Sequence, residues 1–200
     1  MSDKKKGPPR FLFLEFLDPE INALLWGLRR EFGEGQASSD IHITVRGPYD
    51  RNISREEIRS LQRTLDAHPI LIHGAGIFHN PGSSVVFLRV KSDSLKDIWW
   101  KPDFPIEKFG FNPHITIYKG SDPQLAQKIY DFLREESLAL VCHEFRLSPY
   151  VSKQSDLFPL ESLPRDRQFL SLSNRRLVRP DILQRAAKLM AAHMRSQSRQ

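Results

Sequence analysis

Residues 38–49 read SSDIHITVRGPY, and they set a histidine between two isoleucines with a threonine two places further on. In an extended strand alternate side chains point to opposite faces. Ile41, Ile43 and Val45 then share one face, the core side, while His42, Thr44 and Arg46 share the other. The histidine is presented by an apolar strand rather than packed within it. Seventy-two residues later FNPHITIYK, residues 111–119, repeats the His-Ile-Thr core. Ile115 and Ile117 are expected to point inward, and His114, Thr116 and Tyr118 the other way.

The surroundings repeat as well. RFLFLEFL (10–17) has the length and residues of a strand, and the segment from Asp18 reads as a helix with Asp18 as N-cap, Pro19 in its first turn and Gly33 at its end. A strand over 40–47 stops at Gly47-Pro48. A helix over 54–68 opens with a capping box of Ser54 and Glu57 and carries Ile58, Leu61 and Leu65 at helical spacing. Runs at 70–78 and 84–90, separated by Asn80-Pro81-Gly82, form a hairpin. The second half adds a short helix at 94–100, a strand at 114–120, a helix at 121–137 capped by Ser121 or Asp122, and strands at 138–152 and 168–173. Each HIT strand is thus followed by a turn, a capped helix and more strand, the mark of a duplicated α+β unit. A last helix is expected over 180–195, with Ile182, Leu183, Ala186, Leu189 and Met190 on one face that docks on the domain.

The net charge of +6 is unevenly placed. The first ten residues carry +3 and the last forty +6, leaving residues 11–160 at −3. Basicity at the two ends either steers a polyanion or solvates tails. A chain of 200 residues with no apolar run of about eighteen residues is expected to be one soluble domain without a membrane span. The apolar FLFLEFL is too short for a secretion signal, so the expected compartment is the cytoplasm. The single cysteine, Cys142, reads as a buried small hydrophobe.

Two histidines in one cleft can act as base and acid at once, because each titrates near neutrality. A threonine beside each ring can donate its hydroxyl hydrogen to an anionic oxygen. Such a set suits a tetrahedral phosphate: two proton-transfer groups in line and two donors for the non-bridging oxygens. The competing reading is metal ligation. A zinc site wants a third ligand at close spacing; Asp40 sits two residues before His42, but the second copy has Asn112 in its place. No phosphate-cradling glycine loop or nucleophile elbow occurs.

At these motifs the chain resembles the 2H phosphoesterase superfamily, and within it the 2′-5′ RNA ligase and RNA 2′,3′-cyclic phosphodiesterase group. The resemblance rests on HITV (42–45) and HITI (114–117), with RGPY after the first and FNP before the second, and it spans residues 10–175 between a basic leader (1–9) and a basic helix and tail (176–200). It implies a bilobal α+β fold: two antiparallel sheets related by a pseudo-twofold axis, helices outside, and the active site in the groove between. It implies hydrolysis of a 2′,3′-cyclic phosphate to a 2′-phosphate without metal or cofactor, with His42 and His114 as the acid-base pair and Thr44 and Thr116 as phosphate-oxygen donors. His114 is assigned as the base that activates water and His42 as the acid. RNA ends or small nucleotides are the implied partners, and the reverse reaction would be 2′-5′ ligation. Alternatives are a 2′-5′ or cyclic-oligonucleotide phosphodiesterase and, from another class, an RNA-end-binding protein with little turnover. Arg46, Tyr118 and Phe111 are candidate substrate contacts, with Lys119 a weaker one. His73, His79 and His143 read as ordinary surface or packed histidines, a monomer is expected, and no partner is assigned to the tail.

Overall fold

A computed structural model describes residues 8–33, 41–152 and 181–198. The elements in chain order are β1 (Arg10–Phe16), α1 (Pro19–Phe32), β2 (His42–Tyr49), α2 (Arg55–Leu65), β3 (Ile70–Asn80), β4 (Ser83–Lys91), α3 (Asp93–Ile98), α4 (Ile106–Phe109), β5 (His114–Gly120), α5 (Pro123–Glu136), β6 (Ala139–Cys142), β7 (Phe145–Val151) and α6 (Ile182–Gln197). The strand expected at 168–173 lies outside the described residues.

The strands form two antiparallel sheets, ordered β2-β1-β7 and β5-β4-β3-β6. This is an α+β architecture. The first three positions of the two orders correspond: each HIT strand lies at an edge and pairs with the strand that precedes it in the chain, β2 with β1 and β5 with β4. The third place in each sheet is filled from the other half. β3, which follows α2, enters the sheet of β5, and β7, which follows α5, enters the sheet of β2. The two halves therefore exchange strands, and neither sheet is complete without the other half.

Local chemistry explains most boundaries. The Asp18 carboxylate accepts from the Glu20 and Ile21 amides at 2.9 and 3.1 Å, and Asp122 caps α5 in the same way through Gln124 and Leu125. Each cap satisfies two otherwise orphaned amides and is worth about 1 kcal/mol. Ser54 caps α2 through the Glu57 amide. The expected reciprocal bond gives way to ion pairs, because the Glu57 carboxylate takes Arg51 at 2.9 Å and Arg46 at 3.7 Å.

Two expected boundaries are corrected. β2 runs through Gly47-Pro48 to Tyr49. Gly47 sits at φ +113°, where a side chain is strained, and a Cβ there would meet the Arg10 carbonyl oxygen at 2.7 Å. Its amide donates to the Trp100 carbonyl at 3.0 Å, and beyond the proline Tyr49 still pairs with Arg10 of β1. The run 138–152 is two strands rather than one, broken at His143-Glu144 so that β6 and β7 join different sheets.

One hydrophobic cluster joins both sheets to the helices, with Leu12, Leu14, Ile43, Val45, Ile72, Leu88, Ile115, Ile129 and Leu133 among its members. Cys142 is buried, its thiol donating to the Glu144 carbonyl, and burial pushes its pKa up, as suits an unreactive packing residue. The terminal helix α6 docks through Ile182, Ala186 and Met190, all buried. It packs on α1 and α5, where Leu183 lies against the bare Cα of Gly27. Among the described residues no helix is long and apolar enough to cross a membrane.

Candidate active site

The HIT strands alternate as their sequence requires. Ile43 and Val45 on β2, and Ile115 and Ile117 on β5, are buried, while His42, Thr44, His114 and Thr116 are only partly buried. β2 and β5 approach each other at the facing edges of the two sheets, and their four polar side chains line one cleft of roughly 180 Å³. A fifth residue, Arg29 from the last turn of α1, completes the lining. Arg29 belongs to no motif, and only its place in a basic helical last turn hints at a role for it.

Each motif is backed by a phenylalanine at the corresponding position. Phe13 on β1 pairs in register with Thr44, and its ring stacks on His42 at 3.7 Å and 12°. Phe87 on β4 pairs with Thr116, and its ring lies 5.0 Å from His114. The sequence carries a signal for this pair: Phe13-Leu14-Glu15 and Phe87-Leu88-Arg89 each place Phe opposite Thr and a charged residue opposite His.

The two histidines differ in what surrounds them. Under His42 lies the flat face of Phe13, itself stacked on Tyr150 at 4.5 Å. Around His114 the rings are Phe87 at 53° and Phe78 edge-on at 83°. The His114 Nδ1–H donates to the Asn112 carbonyl at 2.9 Å. Because a carbonyl only accepts, that bond keeps a proton on Nδ1 and leaves the Nε2 lone pair of the neutral ring for chemistry. Burial holds the His114 pKa below its ordinary value; the Asn112 bond opposes this shift and the nearby Lys101 charge adds to it.

The other candidates fare differently. Tyr118 is corrected: it is 4% exposed and belongs to the core, because a register irregularity opposite Val86 and Phe87 breaks the alternation of β5. Its ring passes over Gly120, where a Cβ would collide with the hydroxyl. Arg46 is not among the residues that line the cleft and instead ties elements together, its Nε–H donating to the Ile98 carbonyl at 2.6 Å and its guanidinium pairing with Glu57. Phe111 packs edge to face on Trp99 at 5.2 Å, outside the cleft. Lys119 is exposed. Of the remaining histidines, His79 bonds Ser84 Oγ at 2.8 Å, His73 is half-buried in β3, and His143 is exposed.

Among the described residues no three His, Cys, Asp or Glu side chains are grouped to hold a metal ion. Asp40 lies outside those residues. No protein-family model matches the chain, and a search of curated proteins finds no match.

Proposed function

We propose that the chain is a metal-independent phosphoesterase of the 2H type, opening 2′,3′-cyclic phosphates at RNA ends to 2′-phosphates. The observation that carries this reading is the convergence of both HIT motifs and Arg29 on one cleft. The corresponding strand orders support the pseudo-twofold, two-lobed arrangement that the resemblance implies, with the groove between the lobes.

In the proposed reaction a cyclic phosphate sits between the histidines, its non-bridging oxygens accepting from the Thr44 and Thr116 hydroxyls and facing the Arg29 guanidinium. His114 Nε2 takes a proton from water as the water oxygen bonds to phosphorus. The P–O3′ bond breaks on the opposite side, and His42 delivers its proton to the leaving 3′ oxygen. The product is a 2′-phosphate with a free 3′-hydroxyl, and the histidines have exchanged protonation states. The surroundings of His114 fit its role: a desolvated ring with a committed Nδ1–H serves as base, which leaves His42 as the acid. The reaction needs no cofactor, and we place it in the cytoplasm, carried out by a monomer.

A substrate panel tests the reading. Purified protein with chelator present is expected to convert a 2′,3′-cyclic phosphate to the 2′-phosphate faster than it cleaves 2′-5′-linked or 3′,5′-cyclic substrates. Preference for a 2′-5′ linkage would move the activity elsewhere within the class. Binding of cyclic-phosphate RNA with single-turnover cleavage at background would make the protein a reader of RNA ends instead of an enzyme.

A further inference from the structure

The segment between α3 and β5 carries three of the most exposed aromatic side chains of the described residues: Trp100 at 43%, Phe104 at 55% and Phe109 at 50%. Water-facing rings of this size, clustered in ten residues, call for a partner surface. Cations accompany them. The Lys101 ammonium lies 5.3 Å from the ring centres of both Trp99 and Phe104, and that of Lys108 lies 5.1 Å over Phe109. Phe104 and Phe109 are in contact at 5.4 Å. Trp100 packs on Tyr49 at 4.9 Å, and the Arg51 guanidinium covers the Tyr49 ring.

This cluster is anchored to both halves of the cleft. The Trp100 amide donates to the Val45 carbonyl at 3.3 Å and its carbonyl accepts from Gly47, which fixes the segment beside β2 directly after Thr44. Trp99, the neighbour of Trp100, packs on Phe111, three residues before His114, and the Lys101 charge acts on that histidine. The cleft, roughly 180 Å³, is lined by the two HIT motifs and Arg29, so no Phe, Tyr or Trp side chain lines it, and a base to be stacked finds its rings outside that lining.

We infer that residues 99–109 form a base-stacking rim that holds the nucleotides upstream of the reacting end, making oligoribonucleotide ends the substrate class of this cleft rather than free cyclic mononucleotides. The inference rests on the proposed phosphoesterase reading. A single strand presents alternating demands, a flat base and an anionic phosphate; the exposed rings meet the first, and the ammonium groups beside Phe104 and Phe109 meet the second. Folded RNA would present its bases stacked inside a helix, and exposed rings would gain little from it. The rim therefore fits a single-stranded end.

The test compares kcat/KM for a nucleoside 2′,3′-cyclic monophosphate and for an oligoribonucleotide of about eight nucleotides ending in a 2′,3′-cyclic phosphate. The wild-type chain is expected to prefer the oligonucleotide by tenfold or more. Trp100→Ala and the double variant Phe104→Ala/Phe109→Ala are expected to lose that preference, on the order of tenfold per stacking ring, while turning over the mononucleotide as before. Mononucleotide turnover also reports that the variants are folded. No wild-type preference, or equal losses on both substrates, overturns the rim. If neither substrate is turned over, the phosphoesterase reading fails on its own, and binding decides the rim. Fluorescence anisotropy with the same oligoribonucleotide bearing a 3′-phosphate should then show tenfold weaker binding in the variants, and unchanged or absent binding overturns the rim.

Discussion

His42 and His114 share a sequence motif but not a chemical setting. Desolvation lowers the His114 pKa from its ordinary value of 6.5, and the base of the proposed reaction must be neutral. The fraction of active base therefore falls only as pH drops below that lowered value. The acid limb of kcat/KM against pH is expected to have its midpoint below 6.5, and a midpoint above it would contradict the assignment of His114 as base. The linked stability effect has the same origin. The unfolded chain binds a proton at His114 as pH falls through 6.5 while the folded chain resists, so stability declines between that value and the lowered one.

Arg29 is the cleft's positive lining residue among those described. Arg29→Ala is expected to reduce kcat/KM for cyclic phosphate by about 10- to 100-fold, with Arg29→Lys recovering part of it, because a charge-assisted bond to phosphate contributes about 1.5–3 kcal/mol. An unchanged rate would place this guanidinium outside the reaction. The four HIT residues were legible from the two-residue period of a strand, which does not depend on the rest of the fold. Arg29 was not, because it comes from a helix whose last turn reaches the cleft only after the sheets are assembled. Arg46 misled for the same reason: its partner, the Ile98 carbonyl, is 52 residues away.

At the scale of elements, the irregularity in β5 marks where strand periodicity ceases to predict. His114 to Ile117 alternate, and then Tyr118 turns into the core. Side-chain period is a local rule, and one extra residue against the partner strand resets it. Aromatic support of the motifs is likewise an element-level property. Phe87 reaches His114 because β3 offers Gly76 under its ring, where a Cβ would overlap the ring atoms. Gly76→Ala is expected to displace Phe87, cost about 1–3 kcal/mol of stability as overpacking does, and lower turnover more than substrate binding. Denaturant unfolding together with kcat and KM measures this, and an unaltered kcat would separate Phe87 from the positioning of His114.

At the scale of the molecule, strand exchange makes the two halves one folding unit. That each HIT strand is followed by a turn and a capped helix was readable from the sequence. The exchange was not, since a sequence does not state which sheet a strand joins, and the division of 138–152 between the sheets depends on two residues. The terminal helix α6 is part of the same body. Its Arg185 pairs with the buried carboxylate of Glu136 on α5 and with Asp181. Arg185→Ala would leave a buried charge without this partner, and we expect a loss of about 1–3 kcal/mol in denaturant unfolding. Cyclic-phosphate turnover by the folded fraction should be unchanged, because α6 contributes no residue to the cleft. A loss of turnover at full folding would tie α6 to the chemistry.

The decisive measurement is single-turnover opening of an RNA 2′,3′-cyclic phosphate, with chelator present, by the wild-type chain, His42→Ala and His114→Ala. Two-histidine catalysis predicts a 2′-phosphate product from the wild type and a rate reduced by about 10²- to 10⁴-fold in each variant. Wild-type rates in both variants would contradict it.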